Sequence, residues 1–63
     1  MVKVEKKVYD QLEEIRESGE INMFNCRGVM EIARNKRYFH LLDWLDKNRN
    51  QYLQGVLEGF EAI

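Results

Sequence analysis

The chain has 63 residues, 44% apolar and 33% charged, and its ten basic and eleven acidic side chains give a formal charge of −1. A chain of this size buries only about 60% of the surface its unfolded form exposes, so it holds one small core; a second domain, a βαβ nucleotide fold and a barrel enzyme are excluded. One cysteine and one histidine likewise exclude a disulfide framework or a structural zinc site within a single chain.

Val4, Val8, Leu12 and Ile15 lie four, four and three residues apart, which predicts a first helix over about residues 4–18 with one narrow apolar stripe. Glu13, Glu14 and Glu17 fall on its wet side, and Ser18-Gly19 supplies a glycine for the helix end. Residues 20–24 form a connection in which Met23 and Phe24 are expected to plug the junction as a hydrophobic staple would. Asn25 is the expected cap of the second helix, with Asn22 as its competitor. Cys26, Val29, Met30 and Ala33 carry that helix to about residue 35. Arg34-Asn35-Lys36-Arg37 reads as a polar turn. Tyr38, Leu41, Leu42 and Leu45 begin a third helix ending near Lys47, and Asn48 and Asn50 punctuate the chain. Tyr52, Leu53, Val56, Leu57 and Phe60 continue a helical period to Gly59. No run alternates long enough to predict a sheet. The expected fold is all-α, a compact bundle of three or four short helices forming one small domain over residues 1–63. No segment approaches the ~20 apolar residues of a membrane span and the first residues are too charged to open a signal peptide, so the expected location is cytoplasmic.

Two features point outward. At 100° per residue, Trp44, Leu41, Leu45, Tyr38, Leu42 and Phe39 spread over roughly 220° of the third helix, against roughly 80° for the first. Either this helix runs through the centre, or Trp44 or Phe39 reaches a surface that another molecule covers. A chain without the usual staples of tiny proteins is expected to be homo-oligomeric, and Phe39, Trp44 and Tyr52 are the candidate protein interface. The second feature is charge. Residues 1–20 sum to −2, residues 21–40 to +3 and residues 41–63 to −2. Arg27, Arg34, Lys36 and Arg37, with Tyr38 and His40, are a candidate pocket for an anionic ligand such as a nucleotide, since guanidinium groups grip phosphate and aromatic faces stack on bases. The alternative is a solvated helix end complementing its dipole.

A helix-turn-helix reading of Val29 to Ala33, a short turn and Leu41 to Leu45 fails in register. It sets Arg37 where the turn normally has glycine, and Asp43 and Asp46 where a recognition helix has buried apolar residues; DNA is not the expected partner. Cys26 sits on an apolar stripe and reads as a small buried hydrophobe. His40 has no metal-ligating neighbour in sequence, Ser18 is the one serine, and the glutamates lack apolar surroundings that would raise a pKa. Neither catalysis, nor a metal, nor a cofactor is expected.

Ser18-Gly19, then Asn22-Met23-Phe24-Asn25, Val29, Ile32-Ala33 and Tyr52, with Tyr9 and Ile15 upstream, resemble a family of small phage and prophage proteins with a domain of unknown function. The resemblance spans nearly the whole chain. It implies an accessory, non-virion protein made in an infected bacterial cell, and brings no catalytic residues with it. The function it leads us to expect is counter-defence by stoichiometric binding, either of a bacterial immune protein or of its nucleotide signal. A small DNA-binding regulator of transcription or replication is the alternative.

Overall fold

In a computed structural model describing residues Met1–Ile63, the elements run β1 (Val2–Val4), α1 (Lys6–Ser18), α2 (Cys26–Asn35), α3 (Phe39–Lys47), α4 (Arg49–Glu58) and β2 (Phe60–Ala62). The bundle of four short helices is as expected. Val8, Leu12 and Ile15 of α1 face Val29 and Ala33 of α2, Leu41 and Leu45 of α3, and Tyr52 of α4 in one core that also takes in Val4. Most of the wide apolar surface of the third helix is explained by its position, because α3 packs against α1, α2 and α4, but Phe39 stays exposed. No helix is long and apolar enough to cross a membrane.

The ends of the helices are fixed by short-range chemistry. Gly19 closes α1 at φ +68°, the left-handed conformation that its missing Cβ permits. The Asn25 side chain accepts from the Gly28 amide at 3.0 Å and caps α2, while Asn22 accepts from the Phe24 amide at 2.9 Å and tightens the turn before it. Tyr38, at the cap of α3, offers no side-chain capping bond to that helix. Gln11 of α1 substitutes from 30 residues away, its Oε1 accepting from the Leu41 amide at 3.1 Å. Only Asn48 separates α3 from α4, its Nδ2 donating to the Trp44 carbonyl at 3.0 Å.

Three expectations change. The chain does contain a sheet: β1 and β2 pair in parallel, Val2 opposite Phe60, Lys3 opposite Glu61 and Val4 opposite Ala62. Three residues are too few to show alternation, and a parallel pair needs a crossover, here the entire helical segment. Val4 consequently ends β1 instead of starting α1, though it still joins the core. Asn50 does not interrupt the chain, because α4 begins at Arg49. Of the two expected plugs in the connection Met23 packs on the core, as does Ile21, whereas Phe24 is exposed and plugs nothing.

Tyr52 is wholly buried, the largest fully buried side chain in the molecule. Its hydroxyl donates to the Met23 carbonyl, 29 residues earlier, which ties α4 to the connection between α1 and α2. Phe60 lies over the backbone of α4 at Gly55, where a Cβ would overlap its ring. It meets Tyr52 at 5.9 Å between centroids and Trp44 edge-on at 6.1 Å. Gly55→Ala is therefore expected to cost about 1–3 kcal/mol by displacing Phe60, read as a lowered urea midpoint.

Burial, reinforced by the neighbouring Cys26, raises the Tyr52 pKa. The folded state thus favours the neutral phenol, and stability is undiminished below the ordinary tyrosine value of about 10 and falls as pH rises beyond it. Tyr52→Phe is expected to cost about 1 kcal/mol at neutral pH by leaving the Met23 carbonyl unpaired. It should also flatten the alkaline fall in Tm, measured by thermal melts between pH 8 and 11.

Candidate functional site

The six residues of the candidate anion site do not line one cavity. Arg27 is exposed in the first turn of α2 and Arg34 in its last, seven residues or about 10 Å apart along the axis. Lys36 and Arg37 stand exposed in the following turn. Tyr38 turns toward α1, where its hydroxyl donates to the Glu14 carboxylate. That bond, then partial burial and the charge of Glu14, raise its pKa. Tyr38 thereby shares a hollow with Lys7, Asp10, Gln11 and Glu14, a net negative surrounding that disfavours a phosphate. His40 lies in a shallow depression beside Phe39 and Asp43.

The candidate protein interface also divides. Tyr52 is in the core and is not a surface residue, a correction that follows from its helix packing inward with its hydroxyl satisfied by Met23. Trp44 is half-buried against Phe60. Phe39 alone of the three stands out, 60% exposed at the start of α3, and five residues from Trp44 it occupies a different side of the helix.

What Phe39 borders is a hollow of about 380 Å³ between α2 and α3, lined by Met30, Arg34, Phe39, Leu42, Asp43 and Asp46. Met30 and Leu42 are half-buried and pack on the core, so its floor is apolar. Its rim is charged. Asp43 is held by Lys47 at 3.3 Å, while Asp46 has no cation within 4 Å. Arg34 is the one residue of the basic set that reaches this hollow. Met30 was legible only as part of a core stripe, and Asp43 and Asp46 only as an argument against DNA; the packing of α2 against α3 assembles them. A second hollow, about 310 Å³, runs between α1, Met23 and the end of α4, walled by Leu12, Val56 and Phe60 with the paired Glu13 and Arg16 at its edge. No group of three or more His, Cys, Asp or Glu side chains converges in a metal-binding arrangement.

The family described as Domain of unknown function (DUF5049) matches residues 4–60. The chain belongs to this family. The DUF5049 match runs from the last residue of β1 to the first of β2 and takes in all four helices, so it includes both ends of the Tyr52 to Met23 bond and the whole Phe39 hollow. A family of unknown function is what the resemblance led us to expect. No curated protein and no solved structure matches the chain.

The turn between α2 and α3 has one further property. The Tyr38 amide donates to the Ala33 carbonyl at 2.8 Å and the Arg37 amide to the Arg34 carbonyl at 3.1 Å, the pair of bonds that closes a helix through a left-handed residue. Arg37 is that residue, at φ +61°. The backbone therefore does here what a helix-turn-helix does with glycine, yet Asp43 and Asp46 of the following helix face solvent. Arg37→Gly should relieve the left-handed penalty and raise stability by about 0.5–1 kcal/mol in urea unfolding. A fall would mean that the guanidinium contributes more than its backbone costs.

Proposed function

We propose that this DUF5049 chain acts by stoichiometric binding of a protein through the Phe39 face of α2 and α3. Its setting would be the cytoplasm of a phage-infected bacterium, where it inhibits a component of host defence. The observation that carries the binding surface is the exposure of Phe39 beside a hollow with an apolar floor and a charged rim. An aromatic ring kept in water beside a recess, with charges around it, is the composition of a binding hot spot. The complementary partner presents an apolar side chain to Met30 and Leu42 with lysine or arginine beside it, placed to meet Asp46. The phage setting rests on the resemblance carried by the Ser18 to Asn25 connection and Tyr52. No covalent step belongs to this reading; the one serine, Ser18, spends its hydroxyl on the Ile15 carbonyl at 2.6 Å.

The basic residues support nucleotide capture less well, since Arg27, Arg34, Lys36 and Arg37 do not face a common cavity. DNA binding is supported less well again, because α3 offers two aspartates where phosphates supply most of the affinity.

The test is affinity capture from phage-infected cells with the native chain and Phe39→Ala as paired baits, analysing proteins and nucleotides by mass spectrometry. A host protein recovered in equimolar amount by the native bait, and reduced at least about tenfold by Phe39→Ala at unchanged Tm, is expected. Equal recovery by both baits contradicts the proposal. So does capture of a nucleotide lost on Arg34→Ala, or retention of DNA alone at low salt.

A further inference from the structure

Six large apolar side chains are exposed, and two of them, Leu53 (42%) and Leu57 (74%), stand four residues apart on α4. Together with Asn50 and Gln54, both exposed, they recur at i, i+3, i+4 and i+7 and so form one stripe along the helix. The opposite face of α4 holds the buried Tyr52 and Gly55. This helix therefore carries leucines on a second, uncharged side that its own bundle leaves uncovered. The stripe contains no charge. Among the ten residues of α4 only Arg49 and Glu58 are charged, one at each end.

We propose that this stripe is the contact between two copies of the chain, packed α4 against α4 in antiparallel fashion about a two-fold axis. Charge selects both the occupant and the direction. A two-fold contact brings a patch against itself, which a neutral stripe tolerates. The Phe39 hollow suits it less well, because Asp43 is paired with Lys47 but Asp46 on the same rim has no cation within 4 Å and would be brought toward its own counterpart. Antiparallel packing opposes the helix dipoles and sets Arg49 of one copy at the same end as Glu58 of the other, although within the chain Arg49 already rests on Met30 at 3.8 Å and Glu58 already pairs with the N-terminus at 3.9 Å; parallel packing would set like charges at the same end. Asn50 provides an amide group for hydrogen bonds beside the leucines, while the Gln54 amide already donates to Glu58 at 3.4 Å within the helix.

A ten-residue helix is about 15 Å long, so the contact falls below the roughly 1,200 Å² of stable pairs. The dimer is one that dissociates on dilution. None of the residues lining the Phe39 hollow lies on α4, and pairing through α4 presents two such hollows on one particle.

Sedimentation equilibrium of the whole chain from about 10 μM to 1 mM tests this. The native chain is expected to approach twice its 7.6 kDa mass at the upper end. Leu57→Glu and Leu53→Glu should each weaken association at least about tenfold, with unchanged far-UV circular dichroism because both side chains are exposed. Phe39→Ala should leave association as it was. A native chain that stays monomeric across the range overturns the proposal, as does a dimer that survives Leu57→Glu or is lost on Phe39→Ala.

Discussion

The bond from the Tyr52 hydroxyl to the Met23 carbonyl, inside a core of few other large side chains, is the constraint on which the remaining architecture depends. Nine apolar residues are buried, and none of the buried residues is charged. A core so small gains little from burial alone, so the parts of the chain must be joined by contacts that reach far in sequence. Tyr52 provides one, from α4 to the connection between α1 and α2. Phe60 provides the next, seated over Gly55 and against Tyr52 and Trp44, and it places β2 alongside β1. Gln11 provides a third by capping α3 from α1.

These contacts also decide what is left outside. With Tyr52 facing inward, Leu53 and Leu57 necessarily face outward, because residues one and five positions along a helix do not share its face. With α3 held on three sides, Phe39 in its first turn is the ring that nothing reaches. The two exposed apolar surfaces differ in electrostatic character: the stripe on α4 is neutral, whereas the hollow beside Phe39 carries a carboxylate rim. A neutral face suits a copy of itself and an acidic one suits a basic partner, and the two proposals rest on that difference.

Much of the architecture was legible from spacing. The stripe of Val8, Leu12 and Ile15, the glycine at position 19, the cap at Asn25 and the end of α3 near Lys47 are all local, and local rules read them. The paired strands were not legible, because Val2 and Phe60 become neighbours only after four helices have folded between them. The starts of α1 and α4 moved for related reasons, Val4 being taken by the sheet and Asn50 accommodated in a helix that Asn48 had already begun. Of the candidate interface, Phe39 was readable from excess apolar circumference. Tyr52 was misplaced, since a tyrosine on an apolar stripe reads equally as core or surface until the acceptor of its hydroxyl, a backbone carbonyl in a distant turn, is known. The basic middle third was a property of composition, and the fold disperses it; the acids that rim the hollow come from α3 and were invisible as a site until α2 lay beside them.

Residues that hold the fold are distinct from residues left free to bind, and thermal unfolding of three variants at a few micromolar, below the range of self-association, tests that separation most directly. Tyr52→Phe is expected to lower Tm, whereas Phe39→Ala and Leu57→Ala should leave it within about 1 °C of the native chain, as surface substitutions do. If Phe39→Ala or Leu57→Ala lowers Tm as much as Tyr52→Phe, those side chains belong to the fold and the binding surfaces assigned to them are wrong.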